Sequence, residues 1–239
     1  MPSPRRGSRG AFRPIGDLIT VQLWNWILSV SPSATLTRRI AQLVIGLFLY
    51  GIGLALMIRA AIGVAPWDVL GQGVALQSGI PFGVVTNIIG ALVLVLWIPL
   101  RQKPGIGTVA NVLMIGTSAH LGLAVIPEQS ELWVRVLMYA GGLALVAVAT
   151  GLYIGARFGP GPRDGLMTGI HARSGVRLWV VRTVIEVAVL AIGWLLGGNV
   201  GIGTLAFALL IGPMVGVTIP WLMVPAARER GEHVTAPPN

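Results

Sequence analysis

No cysteine occurs anywhere in the sequence. This excludes disulfides, thiolate metal sites and cysteine nucleophiles, and leaves the redox compartment undetermined. Charge is scarce as well. Only 10% of the residues are Asp, Glu, Lys or Arg, against about 25% in a soluble domain. Histidine is reduced to three, and neither HExxH nor GxSxG is present, so nothing points to metal-assisted or serine hydrolysis. No P-loop pattern occurs either. The expectation is a protein that is not an enzyme, carries no cofactor and holds no metal.

Apolar side chains fill the space that charge leaves. The 239 residues are 54% hydrophobic, with a mean hydropathy of +0.81. A chain of this length has nowhere to place so much apolar surface except a bilayer. The net charge of +9 would suggest nucleic acid in a soluble protein. Here the arginines lie between apolar runs and in the tails, with no aromatics interleaved. They read as orientation signals and contacts to anionic lipid, with no nucleic-acid partner.

Six apolar runs are long enough to span: 40–61, 81–100, 106–126, 133–156, 178–197 and 203–224. The all-α fold class follows, since a helix satisfies its own backbone in lipid. Residues 1–14 read as a basic, disordered tail and 225–239 as a second one. Between them, 16–31 is too short to span and contains Asp17, Gln22 and Asn25. It reads as an interfacial helix anchored by Trp24 and Trp26, with a signal segment as the rival. The organisation is thus 1–37 as an N-terminal extension, 38–126 and 133–224 as membrane units, and a C-terminal tail. Arg38, Arg39, Arg101, Lys103, Arg157, Arg163, Arg173, Arg177, Arg228 and Arg230 fall on one side if there are six spans. That places both termini in the cytoplasm.

A shift of 96 residues lays the chain on itself. Gly63 falls on Gly159, Pro66 on Pro162, Asp68 on Asp164, Arg39 on Arg135 and Gly46 on Gly142. "GIGTVANVLMIG" (105–116) falls on "GIGTLAFALLIG" (201–212), eight identities in twelve and no gap. This is an internal duplication. Each unit holds three spans, so the second enters the membrane from the opposite side and the repeats are inverted. Segments 63–79 and 159–175 are Gly/Pro-interrupted at matching places and read as re-entrant or broken helices. That is a pattern of secondary transporters.

The candidate binding residues are Asp68, Asp164, Arg163, Arg182 and Glu186. Asp68 and Asp164 follow a Pro by two residues, so each either caps a half-helix or binds a cation or amine. Arg163 replaces Trp67 in the second copy and reads as a topology signal or an anion contact. Arg182 and Glu186 lie four apart on one helical face, as a structural ion pair or a midplane relay. Thr86, Asn87, Thr108 and Asn111 read as hydrogen-bond links between helices. The doubled Gly-x-Gly-Thr, Gly105, Gly107 and Thr108 with Gly201, Gly203 and Thr204, reads as close helix packing. His120 reads as interfacial, and Trp67, Trp97, Trp133, Trp179, Trp194 and Trp221 as an aromatic belt.

"GVAPWDVL", "GPGPRDGLMTGIHARSG" with its Gly165, "RTVIE", "GGNVGIGT" and "ALLIGPMVG" together resemble the YczE/YitT-like family of bacterial integral membrane proteins, over about residues 38–222. The resemblance implies a multi-pass plasma-membrane protein. Some members are associated with export or production of secondary metabolites, which implies a transport or accessory role. Two functions are carried forward. One is a small transporter or permease-like protein with its site between the repeats, working on an unknown solute or ion, with a homodimer expected because six spans make a slim bundle. The other is a non-transporting accessory protein with an unknown partner.

Overall fold

The computed structural model describes residues 33–224. The segment 16–31 and the tail after 224 lie outside the described residues. Within them the chain forms eight helices and no strand. In order these are α1 (Ser33–Ala60), α2 (Pro66–Ser78), α3 (Phe82–Leu100), α4 (Ile106–Val125), α5 (Leu132–Gly155), α6 (Pro162–Ser174), α7 (Leu178–Leu195) and α8 (Ile202–Leu222). All except α2 and α6 are long and apolar enough to cross a membrane. The six runs expected from the sequence are these six helices, with ends shifted by a few residues.

Helices α2 and α6 have 13 residues each, or about 20 Å at 1.5 Å per residue. That is short of the ~30 Å hydrocarbon core. Both begin on a Pro, whose missing N–H costs nothing at the first helical position. Both end on a left-handed glycine, Gly79 (φ 71) and Gly175 (φ 70), whose N–H closes onto Ala75 and His171. The broken segments expected at 63–79 and 159–175 are thus complete short helices with defined ends.

The core is a pair of long helices, α1 and α5, packed through small residues. Gly46 meets Ala149–Tyr153, Gly53 meets Gly142 and Val146, and Gly142 also meets Met57. As the number rises on α1 it falls on α5, so the two run antiparallel. A Cβ at Gly53 would lie 2.9 Å from the Gly142 carbonyl oxygen, and one at Gly142 2.8 Å from that of Gly53. Only glycine permits this approach.

The contacts between the halves are reciprocal at the 96-residue offset. Arg39 donates to the carbonyls of Ala156 (2.8 Å) and Arg157 (2.9 Å). Arg135 donates to those of Ala60 and Ala61, both at 2.7 Å. Each arginine closes the C-terminus of the opposite long helix, where a cation meets the negative end of the dipole. Arg39 is 4% exposed. Its first task is therefore this cap, beyond the topology signal expected from sequence. Likewise Gly107 N–H donates to Phe158 (2.9 Å) and Gly203 N–H to Ile62 (2.8 Å). Gly63 (φ 112) and Gly159 (φ 121) bring their loops against Gly201/Thr204 and Gly105/Thr108. The Gly-x-Gly-Thr motif is close packing, as expected. What it packs against is the loop of the other half.

Helices α7 and α8 bury the least of their length. Trp133, Trp179, Trp194 and Trp221 are all at least 63% exposed and suit a belt. Trp67 and Trp97 do not belong to it. They are 8% and 1% exposed and sit in an inner cluster with Val93, Leu166 and Val189. The Trp97 indole lies over Gly165 and donates to the Pro162 carbonyl (3.0 Å), which turns that ring inward.

Candidate functional site

The two short helices start at one place. A cavity of about 120 Å³ lies among Ala65, Pro66 and Trp67 at the head of α2, and Gly161, Pro162, Arg163 and Asp164 at the head of α6. The remaining lining comes from Tyr50 of α1, Thr86, Ile89, Gly90 and Val93 of α3, Asn111, Val112 and Ile115 of α4, and Tyr153 of α5. Met167 of α6, Arg182 and Glu186 of α7, and Phe207 of α8 complete it. Every helix contributes. Both helix N-termini, with their positive dipole ends, are directed to the same space.

Four of the five candidate residues line this cavity: Arg163, Asp164, Arg182 and Glu186. The fifth, Asp68, is sealed behind it at 1% exposure. It is tied to the cavity through Arg163, whose Nη2 lies 3.4 Å from its Oδ1. This ion pair joins the two halves of the chain. The same guanidinium lies over the Trp67 ring at 5.2 Å, a cation–π contact. Arg163 therefore carries an ion pair and a ring contact of its own, beyond the topology signal expected from sequence. Arg182 Nε donates to Glu186 Oε1 at 2.9 Å, so the i,i+4 pair forms and also faces the cavity.

Neither aspartate caps its helix. The cap positions are Ala65 and Gly161, without side-chain cap bonds, and the aspartates sit three residues further in. The capping reading fails because the prolines take the first helical position, the cap positions fall on Ala65 and Gly161, and neither carboxylate makes a cap bond. Asp164 is surrounded by protein yet exposed; its open surface belongs to the cavity it lines. Burial pushes the Asp164 carboxyl above its ordinary range, opposed by Arg182 and Arg163 and reinforced by Glu186. Burial pushes Asp68 up as well, opposed by Arg163.

Two buried groups near the cavity have no hydrogen-bond partner, Asp68 Oδ2 and Trp67 Nε1. Thr86 and Asn111 line the cavity instead of linking helices. Asn87 behaves as expected, donating to Leu113 (3.3 Å) and Thr117 (3.2 Å). Sequence reasoning missed Tyr50, Tyr153 and Gly161. The available signal was that the chain has only three tyrosines, and two of them, deep in apolar runs, converge on this cavity. Their rings meet edge to face at 6.1 Å.

The chain matches known proteins over most of its length. A family described as "Family of unknown function (DUF6198)" matches residues 37–220. A Haemophilus influenzae protein named "Uncharacterized protein" is 36% identical over 74% of this chain and 82% of its own length. The Bacillus subtilis "Uncharacterized membrane protein YczE" is 30% identical over 73% of this chain and 82% of its own length. A second Bacillus subtilis protein, "Uncharacterized protein YyaS", is 26% identical over 74% of this chain. No solved structure matches.

Proposed function

The chain belongs to the DUF6198 family, a YczE-like group of membrane proteins, and we propose that it is a small transporter or permease-like protein. Its site is the central cavity, and the protein sits in the plasma membrane with both termini in the cytoplasm. The observation that carries this reading is the convergence of charged and polar side chains from both halves on one cavity. The accessory reading expects a dry interior instead. Charge inside a membrane protein is costly and gathers where a solute or ion passes.

The antiparallel α1 and α5 and the reciprocal contacts support inverted repeats. In such a protein the second access state arises when the two halves exchange conformations. Here that exchange seals Asp164 and opens Asp68, and it requires the Arg163–Asp68 pair to part. With no nucleotide-binding segment in the sequence, an ion gradient supplies the energy.

A ligand screen by thermal shift on the purified protein tests this. Wild type is run beside Asp164→Asn and Glu186→Gln against ions, amines, amino acids and carboxylates at several pH values. The expected result is a ligand that stabilises wild type by mass action and loses its effect in a variant that still folds. A panel without any stabilising ligand, with both variants merely less stable, favours the accessory reading.

A further inference from the structure

The charges around the cavity do not cancel. Three carboxylates, of Asp68, Asp164 and Glu186, face two guanidinium groups, of Arg163 and Arg182. Each guanidinium already has a carboxylate of its own, Asp68 at 3.4 Å and Glu186 at 2.9 Å. Among the described residues Asp164 has no ion pair of its own within salt-bridge distance. Arg182 and Arg163 act on it only from further off, and it lines the cavity. The sealed Asp68 Oδ2 is a further acceptor without a donor. The guanidinium N–H groups are not all used, but each positive charge is already matched by a carboxylate, so the cluster carries one excess negative charge and favours a cation over an anion. A multivalent metal ion needs a shell of several ligands, and among the described residues no three His, Asp or Glu gather into one.

The walls narrow the choice. The rings of Tyr50, Tyr153 and Phe207 line the same cavity, and ring faces attract an organic cation; Trp67 already holds the Arg163 guanidinium. A dry cavity of ~150 Å³ admits benzene, so about 120 Å³ suits a ligand of a few heavy atoms. Gly161 marks the point of attachment. A Cβ there would lie 3.2 Å from Asp164 Oδ2, 3.4 Å from the Tyr153 hydroxyl and 3.6 Å from Asn111 Nδ2. Glycine leaves that corner open. Its backbone (φ −62, ψ 156) does not require glycine, since Ala65 holds the matching place at φ −62, ψ 152.

We propose that the ligand of this cavity is a small monovalent organic ammonium ion, held on the Asp164 carboxylate against the surrounding aromatic rings. The proposal rests on the transport reading and names its substrate class. The open corner beside Gly161 receives the ammonium hydrogens, with the Tyr153 hydroxyl as a second acceptor.

The absence of native cysteine makes the test direct. Asn111→Cys and Met167→Cys each place a single thiol in the cavity wall of the full chain in lipid vesicles. A membrane-impermeant thiosulfonate reagent labels it, and the rate is followed with methylammonium, tetramethylammonium, sodium, acetate or glycine present. The expected result is labelling slowed about tenfold or more by an ammonium ion alone. That protection disappears when Asp164→Asn or Gly161→Ala is added, while both still fold. Labelling that sodium slows equally, that only acetate or glycine slows, or that nothing slows overturns the ammonium assignment and leaves the cavity a solute site. No labelling at either thiol shows a cavity closed to water, and the transport reading falls with the proposal.

Discussion

Asp68 and Asp164 occupy the third position of matching helices, one sealed and the other open to the cavity. Asp164 sits in α6, outside the six spans. The charged groups facing it are Arg163 on its own helix and Arg182 and Glu186 on α7, with the hydroxyl of Tyr153 on α5 beside it. Its carboxyl lies above the ordinary range when folded, so between the unfolded and folded values the native state holds more protons. The ligand-free protein therefore loses stability as pH rises through that window. Ammonium binding needs the carboxylate and strengthens over the same rise. Thermal shifts with and without methylammonium across pH should diverge in these opposite directions, and Asp164→Asn should flatten both. Arg163→Ala leaves Asp68 sealed without a partner, and breaking such a pair costs roughly 3–5 kcal/mol. Denaturation of the double variant Asp68→Asn/Arg163→Ala should recover much of that loss. At this scale the charged residues were legible, because ionisable groups beside apolar runs are conspicuous. Tyr153 and Asn111 were not, since a hydroxyl or amide in a span reads the same whether it links helices or lines a cavity. The Arg163–Asp68 pair spans 95 residues, and only the folded chain brings it together.

The short helices α2 and α6 were legible as elements because Pro and Gly mark both of their ends. Their partners were not. Repetition at a fixed offset shows that two segments are alike, not which surfaces they touch. The exchange of Arg39 and Arg135 between helix ends illustrates this. Arg39 was read from its position beside a span and Arg135 as its repeat partner, and their acceptors lie more than 70 residues away. Both caps satisfy helix-end carbonyls, but Arg39 is sealed and also lies over the Phe158 ring at 4.7 Å, so Arg39→Gln should lower the melting temperature more than Arg135→Gln. A larger loss from Arg135→Gln would contradict that ordering. The α1–α5 contact predicts a sharper loss. Gly53→Val and Gly142→Val place side chains where backbone already stands, and purification should return little folded protein. Gly212→Val in α8 has open space around it and should purify as wild type. A homodimer joined through that face would instead be disrupted by it, with the elution volume reporting which occurs.

At the scale of the whole molecule, the cavity is open to Asp164 and closed to Asp68, and the two halves that hold them are built alike. Exchange between halves is therefore the central claim, and α3 and α7 show the asymmetry it works against. Trp97 of α3 lies on Gly165 of α6, whereas at the matching places Gly193 of α7 lies on Val69 and Leu70 of α2. Glycine lies on the short helix in one contact and on the long helix in the other, so the two halves are not packed identically. The most direct measurement is the accessibility of one cavity thiol, Asn111→Cys, from each side of the membrane. It is made with the impermeant reagent on right-side-out and inside-out vesicles. Exchange predicts labelling from both sides, with one side faster and the balance shifted by ligand. Labelling from one side only, at any ligand concentration, would contradict it.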